Sequence, residues 1–181
     1  MRSLLREESG FTLVELIVAT VLTVIVMAAL SNLFVSGLRA GSNAGWQLSS
    51  QSSVRLAFDR LEYEARCAST ATRAAGGADV TLVLPAAPAC AHAQGTYTWC
   101  VSGGALTRYV GSSCSGTSQT FVTNVTSATP FTCVAPVNQY PRLQVALSVN
   151  GSNASGNGFS ATDQIDMHNA ALTTSTSSAC T

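Results

Sequence analysis

Gly10 and Phe11 form a junction where a chain cut makes chemical sense. A small residue closes a polar leader, and an unbroken apolar segment starts directly after it. Glu15 is the fifth residue beyond that junction. From Leu16 to Val35 there follow twenty residues without a charge, sixteen of them apolar. That is about the ~20 residues a helix needs to cross the hydrocarbon of a bilayer. A carboxylate carried toward mid-membrane costs on the order of a few kcal/mol, so Glu15 calls for a partner or a task.

The remaining reactive side chains are six cysteines, Cys67, Cys90, Cys100, Cys114, Cys133 and Cys180, all beyond the apolar segment. None are spaced as C-x-x-C, and His92 and His168 stand apart, which argues against a metal site. An even count placed after an apolar anchor fits up to three disulfides in an oxidising compartment. Fifteen complete pairings are open; Cys90 and Cys114 attract notice because they flank a hairpin signal at similar distances. There is no H-E-x-x-H, no G-x-S-x-G and no phosphate-cradling glycine loop. No catalytic residue is assigned, no cofactor is expected, and the chain is not read as an enzyme.

Nine arginines balance nine acidic residues, lysine is absent, and only 10% of residues are charged. Such a surface offers no broad cationic face, so no nucleic acid partner is expected. Ser, Thr, Asn and Gly dominate the second half, a neutral hydrogen-bonding surface suited to an extracytoplasmic domain.

Four segments have to position these groups. Residues 1–10 are a leader carrying Arg2 and Arg6, which favour a cytoplasmic N-terminus. Residues 11–35 form a transmembrane helix too long for the core of an ordinary secretory signal, with no Ala-x-Ala-like site after it. Residues 36–75 continue the helix and lead into a linker. Val54, Phe58, Leu61 and Ala65 mark one helical face, with Arg55–Asp59 and Glu62–Arg66 as i,i+4 charge pairs on others. Gly37, Gly41 and Gly45 lie between the two stretches, either as a flexible break or as a close-packing stripe in one helix.

Residues 76–181 read as a β-rich globular domain. Short β-like runs cover Val80–Leu84, Tyr97–Val101, Leu106–Val110, Phe121–Val122, Phe131–Val134, Arg142–Val149 and Gln164–His168. Ser102-Gly103-Gly104-Ala105 is a hairpin signal. A Gly/Ser/Asn-rich loop spans Asn150–Gly158, and a mobile tail from Thr173 is expected unless Cys180 ties it down. The fold class is α+β: a long N-terminal helix packed on a C-terminal antiparallel β-sheet.

Gly10 followed by Phe11-Thr12-Leu13-Val14-Glu15 resembles the type III signal of type IV pilins and type II secretion pseudopilins. Arg55-Leu56-Ala57-Phe58-Asp59-Arg60-Leu61-Glu62 with Arg66, and Tyr97 through Leu106-Thr107-Arg108-Tyr109, look like segments of PilW-type minor pilins and J-type pseudopilins. The resemblance implies a pilin-like fold, cleavage by a prepilin peptidase between Gly10 and Phe11, and N-methylation of Phe11. It also implies a single-pass protein with its C-terminal domain outside. An inner-membrane assembly platform would draw it from the lipid bilayer into a filament of other pilin or pseudopilin subunits.

Within that scheme Glu15 acts in assembly, pairing with the freed amine of a neighbouring Phe11. No proline interrupts the helix before Pro85, and the cysteine set is rich; both favour a minor subunit over the main filament protein. The alternative is an adhesin or DNA-capture subunit of a competence-type pilus; the neutral surface gives it no electrostatic support, and an exposed patch of Arg108 and Arg142 would revive it. Pilus and secretion pseudopilus, and tip and shaft, are not separable from these residues.

Overall fold

A computed structural model of the chain describes residue 10, residues 12–86, residue 90 and residues 94–137, 140–150 and 158–170. The leader before Gly10, Phe11, His92, most of the 150–158 loop, and the tail with Cys180 lie outside the described residues. The chain divides into two compact units, one ending at Ala44 and the other beginning at Gly45.

Helix α1 (Leu13–Cys67) is α-helical without interruption, through Gly37, Gly41 and Gly45. None of these three glycines has a heavy atom within 4 Å of where a Cβ would stand, so the small-residue row is open within the chain. In the first unit every described side chain from Leu13 to Ser42 is exposed. The hydroxyls of Thr20, Thr23, Ser31 and Ser36 bond back to the carbonyls of Ile17, Ala19, Met27 and Leu33 at 2.7–2.9 Å. These four hydroxyls of an otherwise apolar span are thereby satisfied locally, as hydrocarbon demands.

In the second unit α1 buries Val54, Ala57, Leu61, Glu64 and Ala65. The expected face is therefore rotated slightly. Val54, Leu61 and Ala65 are core, but Phe58 is half-buried and the smaller Ala57 takes the innermost place. Glu62 pairs with Arg66 as anticipated. Arg55 and Asp59 do not close to a salt bridge among the described residues, which corrects that expectation. The helix stops at Cys67. Asn169, from far along the chain, donates its side-chain Nδ2 to the Cys67 carbonyl at 3.1 Å, satisfying one of the acceptors a helix end leaves open.

Two antiparallel sheets stand where one was expected. β1 (Thr70–Arg73), β2 (Asp79–Leu84), β3 (Gly95–Ser102), β4 (Ala105–Val110) and β5 (Ser118–Thr123) form a five-stranded meander in sequence order. β6 (Phe131–Val137), β7 (Tyr140–Val149) and β8 (Phe159–Asp166) form a second sheet. Strand β1 falls within the stretch read as linker. It has four residues and a single buried side chain, Ala71, too few for an alternation signal. Strand β8 lies earlier than the Gln164–His168 run.

The β3–β4 turn is Gly103-Gly104 with φ of 58° and 74°. Positive φ at both central residues is the type I′ geometry whose twist matches the flanking strands. Gly77 (φ 69°) is another necessity. Its carbonyl accepts the Phe131 amide at 3.2 Å, and a Cβ there would meet the Phe131 carbonyl at 2.8 Å. This close approach fastens the meander to β6. The Val125–Val149 bridge and the Asn150-to-Asn124 amide bond fasten the opposite ends.

Cys67 bonds Cys90 across 23 residues, and Cys100 bonds Cys114 across 14. Cys133 is disulfide-bonded as well. The Cys90–Cys114 pairing suggested by their positions around the hairpin is not formed. Cys100 lies inside strand β3, so it can reach the loop beyond β4, while Cys90 turns back to the end of α1. Replacing Cys67 and Cys90 together by alanine in a fragment beginning at Gly45 should cost roughly 2–4 kcal/mol in urea unfolding. Gly77→Ala should cost about 1–2 kcal/mol or more through its left-handed backbone, with the Phe131 contact adding to it.

Candidate processing and assembly site

Gly10 is exposed and lies outside the helix, three residues before α1 begins. Thr12 is the N-cap of α1. Its Oγ1 accepts the Glu15 amide at 3.3 Å, and its carbonyl accepts the Leu16 amide at 3.1 Å. Thr12-Leu13-Val14-Glu15 thus has the T-x-x-E spacing of a capping box, with Glu15 at the third helical position. The negative charge also sits in the first turn, at the positive end of the helix dipole. This capping role was legible in the residues Thr12 and Glu15 but was not read from them.

Glu15 is exposed, and among the described residues it makes no ion pair. Its setting is a stripe of uncovered apolar side chains that begins with Leu13 (76% exposed) and Val14 (69%). α1 has a mean hydropathy of 2.6 over its most apolar stretch and is long and apolar enough to cross a membrane. The structure therefore presents a capped helix start, a carboxylate without an ion pair among the described residues and a large apolar surface within one short segment.

A second charged cluster lies far along the chain, built on a fully buried carboxylate. Glu64 has no solvent exposure. Its Oε1 takes Arg60 Nε and Arg108 Nη2, both at 2.8 Å, and its Oε2 takes Trp99 Nε1 at 3.0 Å and Arg108 Nε at 3.1 Å. Trp99 and Arg108 are directly opposed across β3 and β4, so both side chains leave the same sheet face toward α1. The Arg108 guanidinium lies 3.8 Å from the centre of the Tyr97 ring. Trp99 stacks at a tilt on Phe121, with centroids 4.9 Å apart.

These contacts decide the arginine question. Arg108 belongs to the helix–sheet core, and Arg142 pairs with Asp166 at 2.7 Å on neighbouring strands. The exposed Arg108–Arg142 patch that nucleic acid capture would need is not formed. Asp79, Cys100 and Cys114 lie within 4.8 Å of one another, but the two sulfurs are bonded together and offer no thiolate ligand. His168 rests edge-on against Tyr140, away from any such group.

Residues 5–31 match the family model described as the prokaryotic N-terminal methylation motif, the signal of type IV pilins and pseudopilins. The match spans Gly10, Phe11 and Glu15. No curated protein and no solved structure matches the chain. The motif points to a prepilin-type structural subunit rather than an enzyme.

Glu64→Gln should destabilise the fragment beginning at Gly45 on the order of 3 kcal/mol, because Arg108 is left against the core without its counter-charge. Thr12→Val should speed hydrogen exchange of the Glu15 amide in detergent-solubilised protein. An unchanged rate would remove the cap.

Proposed function

We propose that this chain is a prepilin-like minor subunit, cut between Gly10 and Phe11, N-methylated at Phe11 and assembled into a type IV pilus or a type II secretion pseudopilus. The observation that carries this reading is the methylation motif over residues 5–31, feeding directly into a capped, uncovered apolar helix.

Cleavage at Gly10 would leave the membrane helix on the mature protein, because the small residue precedes the apolar segment. Before assembly the lipid bilayer covers that segment, with the leader's Arg2 and Arg6 holding the N-terminus on the cytoplasmic side. During assembly the same surface exchanges lipid for neighbouring helices, a nearly even exchange of one apolar contact for another. Specificity then has to come from a polar contact. Glu15 supplies it by pairing with the freed amine of an adjacent Phe11, where low dielectric makes an unpaired charge costly. A prepilin peptidase and an inner-membrane assembly platform are the partners this sequence of events requires.

A minor position is supported by the uninterrupted helix, which lacks a proline before Pro85, and by a cysteine-rich outer domain. The biochemical act is assembly, not turnover.

Three measurements test the reading. Mass spectrometry of the membrane-purified protein should find N-methylated Phe11 as the first residue; retention of Met1 would overturn the assignment. Gly10→Val should accumulate uncut. Glu15→Gln separates the two roles of that position, because glutamine also serves in a capping box but carries no charge. The variant should be cleaved normally yet be missing from sheared filaments, whereas wild-type incorporation would remove the charge-pairing role.

A further inference from the structure

Asn124-Val125-Thr126 is the acceptor pattern for an N-linked saccharide, and Asn150-Gly151-Ser152 and Asn153-Ala154-Ser155 repeat it. The fold brings the first two asparagines together. The Asn150 amide donates to the Asn124 carbonyl at 2.9 Å, beside the Val125–Val149 bridge. The two are not equivalent. A Cβ on Gly158 would stand 2.8 Å from Asn150 Oδ1, so that carboxamide lies against the returning chain. Asn124 is exposed, and its carboxamide makes no hydrogen bond among the described residues. It sits just past the end of β5 with a φ of 59°, a left-handed conformation that asparagine tolerates. Val125 is buried between Asn124 and Thr126, which are both exposed, so the acceptor amide and its partner hydroxyl stay at the surface.

Beside Asn124 opens a cleft of about 280 Å³ between α1 and the end of β5. Trp46, Ser49, Ser50, Ser53, Val122 and Thr123 complete its lining. The four helical residues follow i, i+3, i+4, i+7 spacing and share one face of α1. One and two turns further on, that face buries Val54, Ala57 and Leu61. A face that continues a core is expected to be apolar; here it changes to hydroxyls. Elsewhere on α1 serine hydroxyls fold back onto helix carbonyls, as those of Ser42 and Ser52 do. The hydroxyls of Ser49, Ser50 and Ser53 make no such bond among the described residues. The cleft therefore offers a half-buried indole and three hydroxyls able to donate and accept, with no charged residue in its lining. That combination suits a neutral polyol, whose C–H face lies on the indole while its hydroxyls bond to the serines.

We infer that Asn124 is an N-glycosylation site and that its first sugar occupies the cleft between Trp46 and Ser53. Transfer forms a bond between Asn124 Nδ2 and the anomeric carbon of a saccharide. It breaks that carbon's bond to the pyrophosphate of a lipid-linked donor, which leaves with the displaced amide proton. Nothing is oxidised or reduced. The inference rests on the proposed function for one point, export of the β-rich domain.

The test uses the full-length protein purified from its native membrane. No Lys or Arg lies between Arg108 and Arg142 or beyond Arg142, so trypsin separates Asn124 from the other two acceptors. Mass spectrometry should find a saccharide on peptide 109–142, with fragmentation placing it on Asn124. Asn124→Gln and Thr126→Ala should abolish that mass, and Thr126→Ser, which keeps the hydroxyl, should retain it. Peptide 109–142 recovered only bare, a saccharide on a Ser or Thr side chain or on peptide 143–181 alone, or a mass that survives Thr126→Ala each overturns the site. Trp99 is wholly buried, so acrylamide quenching of native protein reports on Trp46. Quenching should be weaker in the wild type than in Asn124→Gln, and equal quenching overturns the sugar's place in the cleft. The same spectra read the N-terminus and keep the two readings apart. N-methylated Phe11 on protein bare at Asn124 sinks the glycan alone, and a modified Asn124 on uncut protein sinks the processing reading alone.

Discussion

The β-rich domain is organised around one carboxylate that water cannot reach. Glu64 is presented by a helix, yet three of its four contacts come from β3 and β4. Burying that charge is permissible only because Arg108 grips both oxygens and Trp99 occupies a remaining lone pair. A hydrophobic contact between helix and sheet tolerates sliding; this constellation does not. A one-residue slip of β4 against β3 would send Arg108 to the other sheet face and leave Glu64 stranded. The Gly103-Gly104 turn has the geometry that prevents such a slip, so the hairpin and the buried ion pair enforce each other.

The same helix meets two other demands. Its first half is apolar on every side and folds back its own hydroxyl hydrogen bonds, which is what hydrocarbon requires. Its last turns need an aqueous domain with a stitched core. The Cys67–Cys90 bond and the Asn169 contact both act on the final residue of α1. The point where the chain leaves helical geometry is thus held by a covalent bond and by a side chain arriving from 102 positions away.

Much of this was legible in the residues, for reasons that differ by element. The apolar helix, the hairpin and the long strand β7 announce themselves through composition, paired glycines and strict alternation. Strand β1 was hidden because four residues with one buried alanine carry no period. The split into two sheets was hidden because it depends on Gly77 letting the Phe131 backbone come close, a tertiary fact. Disulfide pairing was hidden too, since sequence distance from a turn does not say which side of the sheet a cysteine faces. The place of Arg108 beside Glu64 was hidden as well, because nothing local to a Leu-x-Arg strand reveals a buried glutamate 44 positions earlier.

Glu15 and Glu64 stand on one helix and pose the same electrostatic problem at different stages of the molecule's life. Glu64 is solved by folding, with every cation supplied in the same chain. Glu15 has only a hydroxyl cap and a dipole beside it, both satisfied by a single subunit, and no described counter-ion. A charge retained in so apolar a setting, where the cap alone would accept a glutamine, is best accounted for by a cation that arrives from outside the chain. The proposed cleavage before Phe11 would create such a cation four residues away on every copy. On the proposed reading, processing and assembly would be one electrostatic event, in which the peptidase makes the positive charge that Glu15 requires.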